Sequence, residues 1–187
     1  MADPHFHEPI TSRQSQRRAL LRAILGASAA ALGGGLALPA AANDIKLGQM
    51  APPLVLNGID GSKIATRDLL GDVVILTFWA SYCEPCLEEL PLLSAYAEAH
   101  AASGLKVLGF SLDTMETIDD VRKVAGTLKF PVGLLGSARA GGYGRVWRIP
   151  VSFVIGRDGK LVHDGWQDKE PSLTLETLQR VVDPLLS

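Results

Sequence analysis

Cys83 and Cys86 are the only cysteines in the 187-residue chain, and two residues separate them. They close the segment Phe78-Trp79-Ala80-Ser81-Tyr82-Cys83-Glu84-Pro85-Cys86, where an apolar run gives way to a helix-forming one. A cysteine at a helix start faces unpaired N–H groups and the positive end of the dipole, which lowers its thiol pKa from ~8.5 toward ~7 or below. Cys86, one turn further on, shares that face and is more shielded, so the two sulfurs can close a short bridge. Pro85 presets a helical φ and lacks an N–H that the first turn leaves unpaired anyway. The chemistry indicated is thiol–disulfide exchange, with Cys83 attacking and Cys86 resolving. A purely structural bridge over so short a loop removes little chain entropy and is a weak staple. A structural zinc needs four ligands, and His5, His7, His100 and His163 supply no matching pair. Neither a metal nor another cofactor is expected.

The elements that must position this pair alternate along the chain. Pro53–Leu56 reads as a short strand, and Asn57-Gly58 with Asp60-Gly61 mark the turn of a hairpin. Val73–Trp79 (VVILTFW) is a continuous apolar run, as in a strand buried on both faces. A helix follows from Glu84 to about Ala101 and closes at Gly104, with Pro91 inside it as an expected kink. Lys106–Leu112 is a second buried strand. Thr117–Leu128 is an amphipathic helix with Ile118, Val121, Val124, Ala125 and Leu128 on one side. Phe130–Leu135, Val151–Ile155 and Lys160–His163 are short strands, and Ser172–Leu186 is a final helix capped by Ser172. This order implies one α/β domain, a central sheet with helices on both faces.

Residues 1–42 read as a leader and 43–187 as the domain. Arg13, Arg17, Arg18 and Arg22 precede the uncharged stretch Ala23–Leu38, and Ala40-Ala41-Ala42 offers a small-residue cleavage site. The stretch is shorter than the ~20 residues of a membrane helix. The run Gln16-Arg17-Arg18-Ala19-Leu20-Leu21-Arg22 resembles a twin-arginine export signal, with Gln16 where Ser or Thr is usual. A mature chain starting near Asn43 and lying in the periplasm is expected, with a membrane tether as the outcome if the leader is retained.

From about Leu47 onward, roughly three quarters of the chain resembles the TlpA/ResA group of exported thioredoxin-like proteins. The segments that carry the likeness are Gly48-Gln49-Met50-Ala51-Pro52, Asp60-Gly61, FWASYCEPC, Glu88-Glu89-Leu90-Pro91 and IPVSFVIGRDGKLV at 149–162. The resemblance implies a thioredoxin-like fold: a central mixed sheet flanked by helices, extended by an N-terminal β-hairpin. It implies a cis peptide bond before Pro150, beside the two sulfurs, as X–Pro chemistry permits. It marks Glu89, three residues past Cys86 on the same helical face, as a group that exchanges a proton with Cys86. The alternative for Glu89 is a solvated helix glutamate like Glu88. Trp79, Tyr82, Glu84, Pro85 and Ile149 are expected to frame the surface that meets a substrate. Tyr82 departs from the usual Trp there, and Thr77 from the usual buried Asp or Asn.

Glu84 repels a thiolate on Cys83 and so argues for a less oxidising couple. The reading is a reductant for exported proteins, at apocytochrome c or copper-site cysteines, fed by a membrane-bound reductase and acting as a monomer. A peroxiredoxin-like peroxidase is an alternative, but Ala80 occupies the position three before the cysteine where a Thr or Ser is needed. A copper(I) chaperone using both thiolates is another. The net charge of −2 and the absence of a basic stripe exclude nucleic acid as a partner. His163 reads as a surface or half-buried histidine, Trp147 and Arg148 as edge packing or a partner contact, and Gly141–Gly144 as a flexible loop.

Overall fold

The computed structural model describes residues 45–187, so the leader and its cleavage site lie outside the described residues. Strands β1 (Val55–Asn57) and β2 (Lys63–Ala65) form an antiparallel hairpin, with Gly61 at φ 85° in its turn. The main sheet comprises β3 (Val73–Trp79), β4 (Leu105–Ser111), β5 (Val132–Leu134), β6 (Val151–Ile155) and β7 (Leu161–Asp164). Its order is β5-β4-β3-β6-β7. The β3–β4 and β4–β5 pairs are parallel, and β3–β6 and β6–β7 antiparallel, so the sheet is mixed as expected.

All seven residues of β3 are buried, which is what its unbroken apolar run requires of the central strand. Its side chains alternate between two cores. Val73, Ile75 and Trp79 pack with Leu90, Leu93, Val121 and Leu178 on one face. Val74, Leu76 and Phe78 pack with Leu56, Tyr143 and Phe153 on the other. The helices that supply the first core are α1 (Glu84–His100), α2 (Ile118–Ala125) and α3 (Leu175–Val181). The steps β3–α1–β4 and β4–α2–β5 run the same way across the sheet, and right-handed crossovers then place both helices on one face. The second face is covered instead by the hairpin and by a 3₁₀ turn at Gly141–Tyr143. Among the described residues the four α-helices therefore share one side. Of the helical elements only 3₁₀ turns reach the other, whereas α-helices on both faces were expected.

Two local readings change. Gly141–Gly144 is an ordered turn rather than a flexible loop: Tyr143 is fully buried, and its carbonyl accepts the Trp166 indole N–H at 3.0 Å. The final helix is two pieces, α3 and α4 (Asp183–Leu186). Pro184 has no N–H and its ring crowds the preceding turn, so a helix starts at it more easily than it passes through it. The cap is Thr174, whose Oγ1 accepts the Thr177 N–H at 3.2 Å, and not Ser172. Helix α1 continues through Pro91, which lies on its exposed side while Leu90 and Leu93 pack beneath.

The hairpin closes one edge of the sheet. Ile59 N–H donates to Val132 O at 2.9 Å, and Asn57 O lies where a Cβ of residue 133 would go, so that position takes Gly133. Arg157, in the β6–β7 turn, ties three distant pieces through carbonyls of Leu185, Gly71 and Ser103 at 2.8–2.9 Å.

Candidate active site

The carboxyl end of β3 delivers both cysteines to the first turn of α1. Cys83 is the N-cap, in an extended conformation (φ −96°, ψ 100°), and Glu84 and Pro85 are the first two helical residues. Cys83 and Cys86 form a disulfide. The Cys86 N–H points at Cys83 Sγ, 3.3 Å away. In the reduced protein that amide faces a Cys83 thiolate at the positive end of the helix, which is the stabilisation expected of the attacking sulfur. Cys83 is 8% exposed and Cys86 1%, so Cys83 is the sulfur nearer solvent.

Ile149–Pro150 is a cis peptide bond, as anticipated. Ile149 packs against the same cluster that holds Trp79, Cys83 and Cys86, while Pro150 is buried and leads into β6. Trp79 is fully buried and belongs to the packing behind the sulfurs rather than to an open surface. Tyr82 is 72% exposed, and Glu84 and Pro85 are exposed beside it, so these three lie at the surface around the dithiol. Trp147 is also exposed, stacked on Trp166 with ring centroids 5.5 Å apart and with the Arg148 guanidinium 5.2 Å from its centre. His163 is half-buried and meets Asp168 through Nε2 at 2.9 Å, away from any role at the sulfurs.

Glu89 is not solvated. It is 4% exposed, on the buried face of α1 with Cys86, whereas Glu88 next to it is exposed. Its Oε2 accepts the Leu173 N–H at 2.9 Å, and the Ser152 hydroxyl lies 3.5 Å from Oε1. Desolvation pushes its pKa up to about 7, and the hydrogen bonds from Leu173 and Ser152 only partly oppose this. Ser152 stands opposite Thr77 in the β3–β6 register, and Thr77 Oγ1 is buried without a partner. Together they place two hydroxyls on the sheet beneath the first turns of α1.

One cluster escaped the reading of the sequence. Asp113, just past the end of β4, is 4% exposed and accepts hydrogen bonds from Ser81 N–H (2.8 Å), Ser81 Oγ (2.6 Å), Ser111 Oγ (2.6 Å) and Thr117 Oγ1 (3.0 Å). Desolvation acts to raise its pKa, but the bonds from Ser111, Ser81 and Thr117 outweigh it and hold the carboxyl below the usual range. A signal was present in the sequence. Sites in open α/β sheets form at the carboxyl ends of strands, and a polar Ser111-Leu112-Asp113-Thr114 directly ends an apolar strand adjacent to β3.

Known proteins share this architecture. The AhpC/TSA family matches residues 47–164. A thiol-disulfide oxidoreductase ResA from Bacillus thuringiensis (strain Al Hakam) is 36% identical over 131 residues, covering 67% of this chain and 74% of that one. The ResA of Bacillus subtilis (strain 168) is 29% identical over 119 residues, 63% of this chain and 66% of its own. A crystal structure of a candidate thiol:disulfide interchange protein DsbE from Chlorobium tepidum superposes with a TM-score of 0.64 at 28% identity, covering 76% of this chain and 99% of that one.

Proposed function

Because this chain belongs to the AhpC/TSA family and is a thiol-disulfide oxidoreductase of the ResA type, we propose that it works as an exported reductant, keeping paired cysteines of other exported proteins in the thiol form. The observation that carries this is the placement of the two sulfurs: Cys83 at the N-cap facing the Cys86 amide, and Cys86 almost fully enclosed. In the forward direction a Cys83 thiolate attacks one sulfur of a partner disulfide, which breaks that bond, forms a mixed disulfide and releases the partner's other sulfur as a thiolate. Cys86, deprotonated as it attacks, then displaces the partner as a thiol and leaves the Cys83–Cys86 disulfide. Glu89, buried near Cys86 on the same helical face and held near neutrality, is suited to accept and return that proton.

Glu84, at the first position of α1, opposes a thiolate on Cys83, which favours the reducing side. The substrates are apocytochrome c or copper-site cysteines, whose thiols must be free before the haem or metal joins. A membrane-bound reductase returns the disulfide to the dithiol. Support for export comes from the arginine-led, small-residue leader and its Ala40–Ala42 site.

Equilibration of the Cys83–Cys86 couple with graded glutathione or dithiothreitol buffers tests the direction. The potential is expected nearer about −270 mV than about −120 mV, and a value above about −160 mV overturns the reductant reading. Mass spectrometry of the protein recovered from the periplasm is expected to show a chain starting after Ala42. An intact leader there indicates a tethered form.

A further inference from the structure

The loop that brings Cys83 to α1 is the short turn Ala80-Ser81-Tyr82-Cys83, closed by Cys83 N–H to Ala80 O at 3.1 Å. That bond shapes the turn but does not fix it to the sheet. The fixing groups lie just past the end of the neighbouring strand β4. Leu112 N–H donates to Trp79 O at 2.8 Å, and Asp113 then reaches Ser81 with both oxygens, Oδ2 to the amide at 2.8 Å and Oδ1 to the hydroxyl at 2.6 Å.

We propose that Asp113 is a positioning residue for the attacking sulfur: by gripping Ser81 at both its amide and its hydroxyl, it holds the turn so that Cys83 Sγ stays against the Cys86 amide. The proposal rests on the assignment of Cys83 as the attacking thiol. The carboxylate is itself immobilised from the far side, by Ser111 Oγ on Oδ2 at 2.6 Å and Thr117 Oγ1 on Oδ1 at 3.0 Å. Its own N–H donates to Ser111 Oγ at 3.0 Å. One face of the carboxylate is thus anchored to β4 and the approach to α2, and the other holds the loop. Hydrogen bonds to an ionised acceptor are roughly twice as strong as neutral ones, so an anion makes a firmer grip than an amide. None of the four donors is a cation. The site is arranged to keep a buried negative charge using neutral groups only, in a place where an uncharged residue would cost less to bury.

Position and charge act on Cys83 with opposite signs, which makes the proposal testable. A nearby anion disfavours a thiolate, so removing the charge alone lowers the Cys83 pKa. Releasing the turn takes Sγ away from the Cys86 amide and raises it. The measurement is the pH dependence of iodoacetamide alkylation of the reduced full chain, with peptide mapping to identify the cysteine modified. Ser81→Ala keeps the Asp113 charge and removes one arm of the grip. It is expected to move the Cys83 midpoint up by roughly half a unit or more, with Ser81→Thr restoring it. Asp113→Asn is expected to move it up as well, against the direction of the charge change. An unmoved midpoint in Ser81→Ala, even with a lowered melting temperature, overturns the proposal and leaves Asp113 a structural residue. A downward shift in Asp113→Asn overturns it in favour of a bare charge effect. Preferential alkylation at Cys86 in the unmutated chain is a different result: it removes the assignment of Cys83 on which the proposal stands.

Discussion

Glu89 and Asp113 are each 4% exposed, one on the buried face of α1 and one just past the end of β4. Their pKa values move in opposite directions. Glu89 has one backbone donor at 2.9 Å and a hydroxyl at 3.5 Å, and desolvation carries it up to about 7. Asp113 has four donors between 2.6 and 3.0 Å, and they more than offset the same desolvation. Burial alone does not decide the state of a carboxyl; the number of donors aimed at it does. The under-supplied group is poised to change protonation near neutral pH, and the fully supplied one stays ionised. The first suits the proposed proton carrier and the second the proposed strut, though the two side chains differ by one methylene.

Both carboxylates matter to the reaction only through the two sulfurs, so the largest expected effect is at Cys86. Cys86→Ser should leave Cys83 linked to its partners, whereas Cys83→Ser should trap little, with adducts separated on non-reducing gels after thiols are blocked. Equal trapping by both variants reverses or erases the assigned roles. Partners dominated by long-range structural disulfides would point to an isomerase or oxidant, and haem-site or copper-site partners to the proposed reductant.

Next in size is the kinetic effect of Glu89→Gln. Proton transfer by a placed group contributes ~10²-fold or more to many reactions, so partner reduction at neutral pH should slow about tenfold or more. The inflection near pH 7 that belongs to Glu89 should vanish with it. Unchanged rates and an unchanged thiol titration would remove Glu89 from the chemistry and leave the comparison one of structure alone.

Stability against pH sharpens the contrast through its sign. The Glu89 pKa is raised in the folded protein from the ordinary 4.5 to about 7, so the folded state holds that proton more tightly than the unfolded chain. Its burden on stability is absent below about pH 4.5, grows as pH rises toward 7, and is complete above. Glu89→Gln should therefore be more stable than the unmutated chain at pH 8, by on the order of 2–3 kcal/mol, with the gain disappearing in acid. For Asp113 the folded pKa is depressed, so its contribution is present above the ordinary 3.8 and is lost as pH falls through the folded value. Asp113→Asn should be destabilised at neutral pH, with the gap to the unmutated chain narrowing below about pH 3.8. Urea titrations across pH 3–8 read both. Parallel pH profiles for the two variants would show that the two carboxyls do not differ in protonation.

The smallest effect is at Ser152. Its hydroxyl is a weak donor to Glu89 at 3.5 Å, so Ser152→Ala should raise the Glu89 titration by a few tenths of a unit, visible in the pH–rate profile. A downward shift would mean that Ser152 favours the protonated carboxyl instead.

The residues differ in how readable they were. Cys83 and Cys86 declared themselves by type and spacing, and Val73–Trp79 by an apolar run that needs cover on both faces. Glu89 could be placed on the face of Cys86 from helical spacing, but two states remained open because burial depends on what covers the helix. The cover is Leu173, 84 residues away, whose amide reaches the carboxylate from the β7–α3 connection. The single closing helix read from 172–186 missed Pro184, whose stop signal was local and legible. Asp113 was a polar residue at a strand end, a position shared by many turns that do nothing.

What the sequence determined by itself are the features whose physics is local: the redox pair at a strand-to-helix junction, the helix start at Glu84–Pro85, the buried central strand and the cis-compatible Pro150. The tertiary fold decides which carboxyl titrates near neutral pH and which stays ionised. That outcome depends on desolvation and on donors from Ser81, Thr117, Ser152 and Leu173, groups that the sheet order and the helix packing bring together. Charge in a protein interior is set by three-dimensional neighbours, and sequence distance carries no record of them.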